Sequence, residues 1–284
     1  MAKPLALGIV GHPIGHTLSP VMHALAGRER GVPLSYGVFD VAPARLAVAV
    51  AGLKALSVDG FNVTVPHKAA VIALLDDVTP EAAAIGAVNT VVNVGGRFIG
   101  HNTDAPGFVD AVREDAGVDP AGKRVFLYGA GGAARGVAFG LAWAGAKNIV
   151  IANRNGERAC ELAAQVTAAT GVAATGLSLA GNLLDTVAAA DIIVNTTSVG
   201  MEGAAEGSSL PGVEGVRSGS LAVDIVYRPL DTPFLAAARE RGAATQDGLW
   251  MLIRQGDRAF RLWTNGKTFP VDRVREAALT ELNN

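Results

Sequence analysis

The chain has 284 residues, half of them hydrophobic and 18% charged, with a formal net charge of -2 and a pI near 6.2. That length predicts two domains, or one domain with a large insertion, and an Ala- and Gly-rich composition of this kind excludes a disordered or fibrous chain. The charge balance offers no general attraction to phosphate backbones or anionic surfaces, so neither nucleic acid nor a membrane is an expected partner.

The first apolar run, Leu5 to Gly11, is too short for a secretory h-region and leads straight into His-Pro, so it reads as a strand. Up to about Gly100, further apolar runs (Leu34 to Val38, Gly60 to Val65, Val88 to Val94) alternate with helical patterns at Val41 to Ala55 and His67 to Leu75, which implies an α/β domain. Gly95-Gly96 between two strand patterns signals a hairpin and predicts an antiparallel edge for the first sheet. From Arg124 the alternation is more regular: strands at Val125 to Tyr128, Asn148 to Ala152, Val172 to Thr175, Asp191 to Asn195 and Leu221 to Ile225, with helices from about Ala133 and Gly156. Such an order demands a parallel, doubly wound sheet. Met201 to Gly219, rich in Gly and Ser, reads as a loop, and Leu249 to Trp263 and Val271 to Leu282 are helical patterns. The uncharged run Leu162 to Leu184 is interrupted by three glycines and several polar residues, so it is read as helix, strand and loop rather than as a membrane span. The single cysteine, Cys160, cannot form an intrachain disulfide, which with the absence of a signal pattern gives the expectation of a reducing, cytoplasmic setting.

Gly129-Ala130-Gly131-Gly132-Ala133-Ala134 lies directly after one strand pattern and directly before a helix. In that position Gly129 allows the tight turn, Gly131 lets the backbone approach a pyrophosphate, and Ala134 keeps helix and strand close, as a dinucleotide-binding Rossmann fingerprint requires. The next strand ends at Asn153-Arg154-Asn155, with Arg158 one helical turn beyond Arg154 and no carboxylate before Glu157. Guanidinium groups in place of the acid that would accept a ribose hydroxyl favour NADP over NAD.

In the first half, Thr17, Ser19, Asn62, Thr64, Lys68, Asn89, Asn102 and Asp104 fall near strand ends, a set suited to a ligand with several hydroxyls and a carboxylate. Pro66 reads as a helix start, which puts Lys68 in a first turn where a cation is unfavourable and needs another reason to be there. A lysine can exchange the proton that accompanies hydride transfer at an alcohol or carbonyl, and Asp104 can orient it. A solvated lysine and a helix-capping aspartate are the plainer alternatives. His12, His16 and His23 are close in sequence, but Pro13 and Gly15 break any shared helical face and no metal-ligand spacing occurs, so no metal site is expected.

The segments 11–20 (GHPIGHTLSP), 62–68 (NVTVPHK), 86–90 (GAVNT), Asn102-Thr103-Asp104, the glycine loop, Asn153-Arg154, 195–201 (NTTSVGM), 224–229 (DIVYRP) and 248–252 (GLWML) with Gln255 resemble the successive motifs of the shikimate dehydrogenase family, over nearly the whole chain. The resemblance implies a substrate-binding catalytic domain at 1–104, completed by 246–284, and a Rossmann NADP-binding domain at 105–245, with a cleft that opens and closes. It implies Lys68 and Asp104 as the catalytic pair. Thr17, Ser19, Thr64, Asn89, Asp104, Tyr227 and Gln255 would hold the substrate, and Met201, Ile225 and Gly248 would lie near the nicotinamide. The implied reaction is NADPH-dependent reduction of 3-dehydroshikimate to shikimate, a step towards chorismate and the aromatic amino acids, by a monomer or homodimer. Many relatives have Ser where this chain has Thr17; the hydroxyl is kept, but the added methyl alters the space beside the substrate carboxylate. Quinate, quinate/shikimate and related polyol-acid dehydrogenases therefore stay open, as does a non-catalytic NADP-binding regulator, although a binding module needs no proton-transfer pair.

Overall fold

The computed structural model describes residues 3–203 and 210–283. The chain divides into two compact units, Met1–Gly107 with Ile253–Asn284, and Phe108–Leu252.

The first unit begins with β1 (Leu5–Gly11), α1 (Ser19–Glu29), β2 (Leu34–Asp40), α2 (Leu46–Ala55), β3 (Gly60–Val63), β4 (Asp77–Val78), α3 (Pro80–Ile85), β5 (Thr90–Val94) and β6 (Arg97–His101). Its sheet has the order β2-β1-β3-β5-β6-β4. The hairpin expected at Gly95-Gly96 is present, but the antiparallel edge is not. The strand running against the others is β5, inside the sheet, and the edge strand β4 runs parallel to β6. Burial explains the order, since Phe61 and Val91 of the paired strands β3 and β5 are fully buried and pack with Phe98 against Leu46, Val50 and Leu53 of α2. On another patch of the sheet Leu7 packs with Ala259 and Trp263. Trp263 Nε1 donates to the Val91 carbonyl at 3.0 Å, so close that a Cβ at Gly60 would run into the indole.

The helix expected over His67 to Leu75 does not form. Residues 64–67 make a turn in which the His67 N–H donates to the Thr64 carbonyl at 2.9 Å, and only a 3-10 turn, Ala70–Leu74, follows. The Lys68 carbonyl accepts from Val88 N–H at 2.8 Å, and the Ile72 N–H, which a continuing α-helix would direct to Lys68, donates instead to the Ala69 carbonyl at 3.3 Å. Lys68 is therefore not in a helical first turn, and the dipole argument for it does not apply.

The chain continues through α4 (Asp104–Asp110) and a π-turn (Ala111–Asp115) into the second unit. There follow β7 (Arg124–Tyr128), α5 (Gly132–Trp143), β8 (Asn148–Asn153), α6 (Gly156–Thr170), β9 (Ala173–Ser178), α7 (Leu184–Ala188), β10 (Ile192–Asn195), β11 (Leu221–Asp224), α8 (Pro233–Glu240) and β12 (Ala244–Gln246). All five pairings are parallel, in the order β12-β11-β10-β7-β8-β9. This is the doubly wound arrangement, with its reversal of strand order between β7 and β10. Sequence reading misses α7, α8 and β12. Of the loop expected over Met201 to Gly219, residues 204–209 lie outside the described residues, and the remainder contains a 3-10 turn at Val213–Gly215 flanked by the buried Leu210 and Val216. Two helices, α9 (Gly248–Trp263) and α10 (Val271–Leu282), complete the chain.

Candidate active site

In the first unit Lys68 and Asp104 meet, with Nζ to Oδ2 at 2.6 Å and side-chain exposures of 18% and 7%. An ion pair this enclosed is screened little by solvent, yet the ammonium keeps an open side from which a proton can be exchanged. The other carboxylate oxygen, Oδ1, accepts from Asn89 Nδ2 at 2.8 Å. Asn89 is held in turn: its Oδ1 accepts the Thr103 N–H at 2.7 Å, and its Nδ2 also faces Thr103 Oγ1 at 2.9 Å and Gln255 Oε1 at 3.2 Å. Backbone donation to Oδ1 fixes which end of the amide is the donor, so the orientation of Asn89, and through it that of Asp104, is set by the fold. Asp104 lies in the first turn of α4 but does not cap it. That role falls to Asn102, whose Oδ1 accepts the Ala105 N–H at 3.0 Å, leaving the carboxylate available to lysine.

Thr17 and Ser19 form a second group, with Thr17 Oγ1 donating to Ser19 Oγ at 3.2 Å and accepting the Ser19 N–H at 3.3 Å. Sequence reading misses what joins the two groups. The Ser19 side chain interacts with the Tyr36 hydroxyl, which donates to Asn62 Oδ1 at 2.6 Å. Asn62 Nδ2 donates to the Asn89 carbonyl at 3.1 Å and to Thr90 Oγ1 at 3.0 Å. A tyrosine in a strand reads as core, and Tyr36 does stack on His23 with ring centroids 4.6 Å apart; only coordinates reveal where its hydroxyl goes. Thr64 stands one residue beyond β3 and Asn89 one residue before β5, rather than within the strands. The three N-terminal histidines diverge: His12 faces Asp40 at 2.6 Å, His16 is exposed, and His23 is buried among Tyr36, Phe260, Trp263 and Phe269. Among the described residues no group of three or more His, Cys, Asp or Glu side chains converges, and no helix is long and apolar enough to cross a membrane.

In the second unit the chain leaves β7 at Gly129, where φ is +107° and an added Cβ would lie 2.6 Å from Thr196 Oγ1. Cβ atoms built at Gly131 or Gly132 would meet nothing within 4 Å, so the backbone before α5 borders open space at a helix N-terminus, a cradle that fits a pyrophosphate. Ala130 and Ala133 belong to the same turn, and Ala134 is fully buried beneath it. At the end of β8, Asn153 Nδ2 donates to the Asn155 carbonyl at 3.0 Å, and Asn155 caps α6 by accepting the Arg158 N–H at 3.2 Å. Arg154 and Arg158 are exposed, and among the described residues neither guanidinium has a protein partner, which leaves both available to a phosphate. Burial raises the pKa of Tyr227. Met201 is exposed, and Ile225 N–H donates to the Asn195 carbonyl at 3.0 Å. Gly248 N–H donates to the Val226 carbonyl at 3.1 Å, and a Cβ at Gly248 would collide with the Ile225 carbonyl.

Three family models match this chain: shikimate dehydrogenase substrate binding domain over residues 9–91, shikimate / quinate 5-dehydrogenase over 112–225, and shikimate 5'-dehydrogenase C-terminal domain over 248–279. The chain is 50% identical over 278 residues to the shikimate dehydrogenase (NADP(+)) of Moorella thermoacetica, covering 96% of this chain and 93% of that one. It resembles the crystal structure of the shikimate 5-dehydrogenase of Listeria monocytogenes in complex with shikimate and NAD, with a TM-score of 0.90, 36% identity and 96% coverage of both chains. It also resembles that of Thermus thermophilus in complex with NADP(H) and shikimate, with a TM-score of 0.87, 40% identity and coverage of 98% and 99%. With matches of this extent on an enclosed lysine–aspartate pair and a parallel dinucleotide-type sheet, the chain belongs to the shikimate dehydrogenase family.

Proposed function

We propose that this chain catalyses the reversible reduction of 3-dehydroshikimate to shikimate with NADPH, and that Lys68 is its proton donor and acceptor. The observation that carries the reading is the 2.6 Å contact of Lys68 with an Asp104 carboxylate whose other oxygen is held by Asn89. When bound, NADPH supplies the hydride that adds to the substrate carbonyl carbon. The carbonyl oxygen then gains a proton from Lys68, and in the reverse direction Lys68 takes that proton from the hydroxyl as the hydride leaves. Asp104 stabilises and aims the ammonium. Thr17 and Ser19 are suited to the substrate carboxylate, and Thr64, Asn89, Tyr227 and Gln255 to its hydroxyls. Residues 1–104 with 246–284 serve as the substrate domain and 105–245 as the NADP domain.

Residues 129–133 cradle the pyrophosphate and Arg154 with Arg158 grip the 2′-phosphate, with Asn153 and Asn155 shaping that turn; Met201, Ile225 and Gly248 serve the nicotinamide end. No acidic side chain competes at the end of β8, which favours the phosphorylated dinucleotide. The enzyme acts in the cytoplasm as a monomer or homodimer on small molecules alone, a reading supported by its single cysteine and near-neutral charge. Thr17 keeps quinate in play, because its methyl changes the space beside the substrate carboxylate, the region where quinate's additional hydroxyl distinguishes it from shikimate. Steady-state kinetics with shikimate and quinate, each with NADP⁺ and NAD⁺, decides the matter: the highest kcat/KM is expected for shikimate with NADP⁺, and a preference for quinate or for NAD⁺ overturns the assignment.

A further inference from the structure

Asp224, the last residue of β11, is fully buried, and its hydrogen-bond partners are all neutral. Its two oxygens accept three hydrogen bonds from three separate segments. Oδ1 takes Asn195 Nδ2 at 3.0 Å and the Val226 N–H at 2.9 Å, and Oδ2 takes the Thr232 hydroxyl at 2.7 Å. Each donor organises a segment of its own. Asn195 Oδ1 accepts the Thr197 N–H and hydroxyl at 3.0 and 2.7 Å, and its Nδ2 also reaches the Val199 carbonyl at 3.1 Å. Thr232 caps α8 by accepting the Leu235 N–H at 3.3 Å. Val226 lies between Ile225 and Tyr227, and its carbonyl receives the N–H of Gly248.

A carboxylate enclosed without a cation is costly, as the burial-driven rise of its pKa records. Its place in the fold is explained by what it joins. One side chain fastens the 195–201 loop, which leads to Met201, to the 225–227 loop, which carries Ile225 and Tyr227 and is closed by Gly248. We propose that Asp224 is a positioning residue for the nicotinamide end of the cofactor site, holding these two loops in register while the Arg154 end depends on β8 and α6. The inference rests on the NADP-dependent reading given above.

Asp224→Asn preserves shape but leaves one acceptor oxygen where two served three donors. NADPH is expected to bind this variant about tenfold more weakly in a fluorescence titration, and kcat/KM for shikimate to fall by a similar factor, the scale of one lost hydrogen bond to a charged group. The ligand 2′,5′-ADP, which has the phosphorylated adenosine end alone, should bind within about twofold of wild type if the damage is local to the other end. Thr232→Val should reproduce the direction of the loss and Thr232→Ser, which restores the hydroxyl, should rescue it; this pair decides the question if Asp224→Asn does not fold. Wild-type NADPH binding in Asp224→Asn, or equal weakening of NADPH and 2′,5′-ADP, overturns the positioning role. Failure of the wild-type protein to oxidise shikimate with NADP⁺ overturns the functional reading instead, and leaves the comparison of the two titrations standing.

Discussion

Lys68 shows how a residue can be singled out for the wrong reason. A cation at a supposed helix start called for explanation, but its backbone forms a turn whose carbonyl is taken by Val88, and what holds the side chain is Asp104. Nothing local in NVTVPHK announces an aspartate 36 residues further on as its partner. Because the ammonium is enclosed and aimed, its removal should cost chemistry more than binding. Lys68→Ala is expected to lower turnover by about 10²–10⁴, the range of general acid–base catalysis, with NADPH affinity retained in a direct titration; near-normal turnover in that variant would end the proposed role. Arg154 and Arg158 were legible for the opposite reason, since what marks them, two guanidiniums and no carboxylate at the end of a strand, is a property of neighbouring residues.

Among elements, the β7–α5 turn was readable to the residue because its demands are local: a left-handed φ at Gly129, open backbone at Gly131 and Gly132, and a small buried side chain at Ala134. Gly129→Ala should therefore be costly, as it adds a Cβ at φ +107° against Thr196 Oγ1. Backbone strain of this kind costs about 1–3 kcal/mol, so differential scanning should show a lower melting temperature and titration a weaker NADPH complex, whereas unchanged values would mean that the turn yields freely. Apart from α1, of 11 residues, the elements missed were short. Thr79-Pro80 and Thr232-Pro233 are helix-start signals, and both threonines do cap, α3 and α8 respectively, but six- and eight-residue helices carry too little apolar periodicity to be seen. The failed helix after Pro66 is the converse case, a plausible pattern that makes one α-type bond, Val71 N–H to the His67 carbonyl, and then tightens into a 3-10 turn while Val88 N–H takes the Lys68 carbonyl.

At the scale of the molecule, one electrostatic liability lies in the first unit's aromatic cluster, where burial pushes the His23 imidazole down to about 3 from 6.5. Between those values the unfolded chain binds a proton that the folded chain refuses. The contribution is therefore fully present above about pH 6.5 and is lost as pH falls towards 3, at about 1.4 kcal/mol per pH unit. The melting temperature of His23→Phe should accordingly fall less steeply than that of wild type between pH 6.5 and 4, and coincident profiles would show that the ring titrates normally. The sequence alone determined the two α/β alternations, the glycine turn, the basic end of β8 and the ordered run of family motifs, because period, turn chemistry and charge are properties of neighbouring residues. Tertiary structure alone decided that β5 lies inside the sheet and runs against β3 as well as its hairpin partner, that Asn102 rather than Asp104 caps α4, that Tyr36 and Asn62 link the two polar groups, and that Asp224 fastens two loops. Each of those outcomes depends on hydrogen bonds and packing between segments distant along the chain, and the residues at either end carry no mark of the partner they will meet.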